Sequence, residues 1–218
     1  MKTTLKKALI AGLASLLCSL SLLSCGGVSL RPGSEGLYDK DNNVSYSHAS
    51  HVYEATSLLT EYGKLVVTDK ESYALYTIPG TEPTKMLATE DFNILYASDV
   101  TLPTLSEMAP TVLRVCSDSI ELKRIEDTAL VSKVAKAYAE GTSLEYPGTT
   151  PRKSYKVRFE SVDHPGFYYT LTYLEYSSDL VVDGQNYGRF FLYNSFDKVF
   201  VAIGSDIHDE MDTATALS

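Results

Sequence analysis

From residue 62 onward the chain alternates short apolar runs with polar or glycine-containing breaks, the pattern of β-strands joined by turns. Residues 62–68 and 73–78 are apolar runs separated by Asp69-Lys70-Glu71-Ser72. They predict a hairpin, stopped by Pro79-Gly80. Residues 92–97 and 112–116 are two further strand-like runs. Near the C-terminus Tyr155, Val157 and Phe159 alternate with Lys156, Arg158 and Glu160, so this strand has one dry face. His164-Pro165-Gly166 turns the chain into a returning strand over 167–176. Asp183-Gly184 predicts a turn between 180–182 and 188–193. Asn194 to Asp197 then forms a loop before 198–203, so residues 154–203 read as an antiparallel meander.

One helix stands out between Asp127, a side chain suited to the N-cap, and Gly141, suited to the stop. Leu130, Val134 and Tyr138 recur every four residues with Val131 and Ala135 beside them, while Lys133 and Lys136 fall on the wet face. Ser205 or Asp206 can open a brief helix through His208 and Met211. From Asp212 the tail has no core residues and is expected to fray. Strands near both ends with one main helix between them predict an α+β fold, mainly antiparallel sheet built from hairpins and a C-terminal meander. There is an internal echo as well. Tyr62-Gly63-Lys64-Leu65 resembles Tyr187-Gly188-Arg189-Phe190, and Leu37-Tyr38-Asp39 matches Leu192-Tyr193-Asn194 in its spacing to a following valine. Asp or Asn at a strand end is Asx-turn chemistry. Convergence on that chemistry is the favoured cause, with duplication as the alternative.

The N-terminus changes the picture from fold to address. Lys2, Lys6 and Lys7 precede sixteen residues, 8–23, that are all apolar, Gly, Ser or Cys. This is the layout of a secretory signal, and the run is short for a permanent span of ~20 residues. It ends in Leu22-Leu23-Ser24-Cys25, which resembles the bacterial lipobox, with Ser24 as the small residue before the cut. Cys18 is the poorer match because the large Leu17 precedes it. The resemblance implies a thioether-linked diacylglycerol on Cys25, and two acyl chains anchor stably where one is marginal. The domain reading is therefore a signal peptide over 1–24 and a flexible tether over 25–36. A single α+β domain follows over 37–211, with two small β subdomains as the alternative, and then a frayed tail over 212–218. The tether, rich in Gly, Ser and Pro, would reach at most ~35 Å. Further stretches resemble lipoproteins of unknown function from clostridial, gut-type bacteria: residues 62–64, Ile78-Pro79-Gly80, residues 86–90, Thr101-Leu102-Pro103-Thr104 and the ending from Tyr187 to His208. That resemblance implies a setting and no site residues.

Charge and chemistry narrow the options. Without residues 1–24, sixteen basic residues face 28 acidic ones, taking the net charge from −9 to −12. So acidic a surface argues against nucleic acid and against attraction to anionic lipid. Cys25 and Cys116 are the cysteines left, so with Cys25 lipidated no internal disulfide forms, and Cys116 reads as a small buried side chain. All 16 tyrosines, and no tryptophan, lie in the mature part, which fits a β-rich body or a stacking surface for sugars or peptides. Asp39, Asp41 and Asn43 offer alternate oxygens like the opening of a calcium loop. Val44 stands where that loop needs glycine and Ser50 where it needs glutamate, and an acidic hairpin turn accounts for the same residues. His48 and His51 form H-x-x-H without a third ligand at fixed spacing. His164 and His208 complete the histidines, and His208-Asp209-Glu210 offers a base with acids. No nucleophile elbow and no nucleotide-binding glycine motif occurs, and no cofactor is indicated. The leading expectation is a non-enzymatic envelope lipoprotein, held to the membrane by lipid on Cys25 and binding a glycan, peptide or protein. The alternatives are a surface hydrolase using carboxylates, with or without metal, and a structural or accessory subunit of an envelope complex.

Overall fold

The computed structural model describes residues 28–33 and 36–215. The strands of the N-terminal part are β1 (Val28–Gly33), β2 (Gly36–Asp39), β3 (Val44–His48), β4 (Tyr53–Ala55), β5 (Glu61–Thr68), β6 (Glu71–Tyr76), β7 (Met86–Thr89) and β8 (Ile94–Ala97). Then follow β9 (Val112–Ser117), β10 (Ile120–Ile125), helix α1 (Thr128–Glu140), β11 (Ser143–Leu144), β12 (Lys153–Glu160) and β13 (Phe167–Glu175). The chain ends with β14 (Val181–Val182), β15 (Gln185–Asn186), β16 (Phe190–Asn194), β17 (Val199–Ala202) and helix α2 (Asp206–Thr215). The fold is α+β, dominated by antiparallel strands, with α1 as the main helix.

Seven strands close into a barrel in the order β1-β2-β3-β8-β7-β6-β5, and closure comes from a parallel pairing of β1 with β5. Residues 28–33, assigned to the flexible tether from their Gly, Ser and Pro content, are thus a barrel strand: Val28 and Leu30 bury 98% and all of their surface inside it. Gly63 makes the closure possible. A Cβ there would stand 2.2 Å from the Val28 carbonyl oxygen, so only glycine allows β1 this close. The interior is filled by Leu30, Leu37, Tyr46, Leu65, Leu75, Leu87 and Leu95.

The second sheet runs β10-β9-β12-β13-β16-β17-β11, with β4 pairing the start of β13. Its inner face packs Val115, Val157, Phe159, Leu171, Tyr173 and Leu192 against Val131, Val134, Ala135 and Tyr138 of α1 and Ile207 of α2. Asp127 caps α1 as expected, accepting from the Ala129 and Leu130 amides at 2.9 and 3.1 Å. Sheet and barrel are joined by the β4–β13 ladder and by a shared cluster in which Met86 and Ile94 of the barrel, with Ile78 just after β6, meet Met108 and Phe167.

Two local expectations are corrected. Helix α2 continues through 212–215, where fraying was expected; Asp212 is held by His208 and Lys153, contacts that span helix and sheet. The Asp183-Gly184 turn does form, with both residues at positive φ, but it joins the two-residue strands β14 and β15. The following strand leaves that hairpin and pairs with β13 instead.

The echo between residues 37–44 and 192–199 is structural as well. Asp39 accepts from the amides of Asp41 and Asn42, and Asn194 from those of Phe196 and Asp197. Asn42 donates its side-chain amide to Asp39 at 2.6 Å; in the second copy the roles exchange and Asn194 donates to Asp197 at 2.7 Å. Asn43 and Lys198 then both take positive φ, and Val44 and Val199 start the return strands. The other half of the echo diverges. Gly63 is crowded by β1, whereas a Cβ on Gly188 would meet open space.

Candidate functional site

The outward face of the second sheet gathers the most chemistry. On β12 the residues that alternate away from the α1 side are Lys156, Arg158 and Glu160, and register places Arg114 of β9 beside Arg158. Arg124 of β10 lies beside Arg114, Thr170 of β13 beside Arg158, and Glu54 of β4 beside Tyr168. Five strands thus deliver a continuous polar surface, every member set by β alternation. Arg158 grips Glu54 in a fork, Nη2 to Oε1 at 2.5 Å and Nε to Oε2 at 3.2 Å. Lys156 reaches the same carboxylate at 3.4 Å, and Thr170 donates to it at 3.4 Å. Arg114 pairs with both Glu160 and Glu121. Burial works against the Arg114 charge, yet the hydrogen bonds it donates to Glu160 and Glu121 outweigh it and hold the guanidinium protonated beyond its ordinary range. Both guanidiniums lie over the Tyr168 ring, 5.4 Å away for Arg158 and 6.0 Å for Arg114. Burial pushes the Tyr168 phenol up, against the lowering pull of the Arg114 charge.

Beside this network opens a cleft of about 380 Å³ whose walls include Thr56, Thr111, Arg114, Glu160, His164 and Tyr168. Farther along the same face, a smaller recess of about 160 Å³ is lined by Lys156, Thr172, Tyr193, Phe196 and His51. Beyond it the face turns aromatic: Tyr193 stacks on Tyr146 at 4.7 Å, and Phe191 on Phe200 at 4.4 Å.

The histidines are dispersed. His48 ends β3 opposite Leu95, and His51 sets its ring edge on Phe196 at 5.4 Å. The H-x-x-H pair therefore faces two different surroundings. His164 lines the larger cleft, where Glu160 is the one acid among the described lining residues. His208, on α2, has Nδ1 3.1 Å from Glu175 and Nε2 3.2 Å from Asp212. Its partners are therefore not the adjacent Asp209 and Glu210, which engage Ser205 and Lys123. Glu175 is 1% exposed, and Lys153 stands 3.3 Å away. This buried carboxylate was not legible in the sequence, because its partners Lys153 and His208 come from β12 and α2, distant from it along the chain.

Two of the three metal candidates, Asp39 and Asn43, engage their side chains within the turn. Asp39 is fully buried and directs its oxygens at the turn amides and Asn42, while the Asn43 oxygen accepts from Tyr38 at 2.6 Å. Among the described residues no group of three or more His, Cys, Asp or Glu is placed to hold a metal ion. Cys116 is buried as expected, its sulfur 3.8 Å from Arg158 Nη1. The exposed tyrosines are Tyr38 on β2, Tyr73 on β6 and Tyr146 in the loop after β11. Cys25 lies outside the described residues, and among those described no helix is long and apolar enough to cross a membrane. No protein family, curated protein or solved structure matches the chain.

Proposed function

We propose that the protein is an extracytoplasmic lipoprotein, anchored through lipid on Cys25, that binds a peptide segment on the outward face of its second sheet without transforming it. The observation that carries the binding reading is the platform of Arg114, Tyr168 and Arg158. Each guanidinium is already matched by a carboxylate, Glu160 and Glu121 for one and Glu54 for the other. The surface is close to neutral on an acidic body. It offers donors and acceptors side by side, which suits a peptide backbone and its mixed charges better than a purely anionic or cationic ligand. Tyr168 has guanidiniums over its ring, which disfavours it as a stacking platform for a sugar. A carboxylate hydrolase has less support, because Glu160 is bound to Arg114 and the other candidate groups lie elsewhere.

The test is nuclear magnetic resonance of the purified native protein titrated with a random peptide pool and, in parallel, with a glycan pool. Peptide-dependent shifts centred on Arg114, Arg158 and Tyr168 are expected, and Tyr168→Ala should weaken binding at least tenfold while circular dichroism stays unchanged. Shifts from glycans alone would replace the ligand class. An unperturbed sheet face with both pools would end the reading.

A further inference from the structure

We propose that the outer wall of the barrel, across β2, β1 and β5, docks on an anionic phospholipid surface; this rests on the reading of Cys25 as the anchored residue. Val28 and Leu30 point into the barrel, so Ser29 and Arg31 point out. Register sets Lys64 of β5 beside Ser29 and Tyr38 of β2 beside Arg31. Lys64 has Ala74 on its other side. Ser29, Arg31, Tyr38 and Lys40 line one cleft of about 410 Å³, together with Asp41. A neighbouring recess holds Arg31 and Asp69, and Lys70 follows Asp69 in the turn.

Pairing distinguishes this wall from the polar face of the second sheet. In the second sheet Arg114, Lys123, Arg124, Lys153, Lys156 and Arg158 are all ion-paired. Arg31, Lys40 and Lys64 make no ion pair among the described residues, and each is exposed. Arg31 on β1, Lys64 on β5 and Lys40 just after β2 outnumber the two acids beside them, Asp41 and Asp69, and form a positive island on a chain of net charge −9. The island also stands in the right place. Ser29 is four residues beyond Cys25, a span of at most ~14 Å, so a lipid on that cysteine holds this wall at the head groups. An anchor combined with a basic patch is a two-signal membrane attachment, and clusters of Lys and Arg close to a membrane recognise anionic lipid. Tyr38, 37% exposed beside Arg31, adds a ring suited to the half-wet interface. Net acidity alone predicts repulsion from such a surface; the local arrangement reverses it.

The experiment uses the full protein as purified from membranes, reconstituted in vesicles of phosphatidylcholine with or without phosphatidylglycerol. Acetylation rates of individual lysines are read by mass spectrometry. In the anionic vesicles Lys40 and Lys64 should react at least threefold more slowly than in the neutral ones. That protection should vanish at about 1 M salt, where the screening length is about 3 Å, and in the R31Q/K40Q variant at the remaining Lys64. Lys133 and Lys136 on α1 should react alike in both vesicles. Equal rates for Lys40 and Lys64 in both vesicles would overturn docking. The same spectra report the mass of the N-terminal peptide, so absence of lipid there overturns the anchor separately. An unlipidated chain still protected by added anionic vesicles would leave docking standing alone.

Discussion

Asp39 shows how a single residue type carries two readings. Its position in Asp39-Lys40-Asp41-Asn42-Asn43 invites a cation, yet its oxygens cap a turn that Asn194 caps in the same way at the other end of the chain. The side-chain pairing is carboxylate to amide in one copy and amide to carboxylate in the other. This predicts that Asp39→Ala, which leaves turn amides without their acceptor, costs about 1–3 kcal/mol. The double exchange of Asp39→Asn with Asn42→Asp should recover most of that loss, because it rebuilds the Asn194–Asp197 arrangement. Urea unfolding of the two variants against the native protein measures both numbers; equal stability of Asp39→Ala and the native chain would show the cap to be inconsequential. The cap itself was legible from sequence as Asx chemistry. What sequence left open was whether a cation shared it.

At the scale of elements, the barrel depends on one approach between strands far apart in sequence. Gly63 lets the backbone of β1 lie against β5, and a methyl group there would meet the Val28 carbonyl oxygen, nitrogen and side chain together. Gly63→Ala should therefore cost about 1–3 kcal/mol or more through overpacking, and the loss should be local at first. Hydrogen exchange of the Val28 to Leu30 amides should speed up before that of β12 and β13. Retained protection of β1 would show that closure tolerates the extra carbon. The helix tells the opposite story: Asp127, the four-residue apolar stripe and Gly141 are local signals, and α1 begins and ends where they place it. β1 was misread because its Gly, Ser and Pro suit a tether, and its strand state comes from pairing on both sides with β2 and β5.

For the whole molecule, the tyrosines dominate the response to alkali. Burial pushes Tyr46, Tyr53 and Tyr176 up to about 12, with the neighbouring Asp39 charge adding to the effect at Tyr46. Tyr169 and Tyr173 are raised further in the same direction, again mainly by burial. A phenol whose folded value lies above its unfolded value near 10 contributes stability that is complete below pH ~10. That contribution fades as pH rises toward 12. Stability should therefore be flat up to about pH 10 and fall steeply between 10 and 12. Phenolate absorbance at 295 nm from the buried rings should appear together with loss of circular dichroism. Phenolate formation well before unfolding would mean that these hydroxyls are open to solvent.

Local chemistry in the chain was enough to determine the α+β class, the position of α1, the hairpin turns and the alternation that sends Lys156, Arg158 and Glu160 to one face. Each of those depends on residues within a few positions of one another, where dihedral preference and side-chain period act directly. The closed barrel, the Glu175–His208 contact, the Arg114–Tyr168–Arg158 platform and the unmatched Arg31, Lys40 and Lys64 were decided only by tertiary structure. They bring together residues tens of positions apart, and cross-strand register, which a sequence does not print, chooses which of 28 acidic side chains meets which base and which bases are left without one.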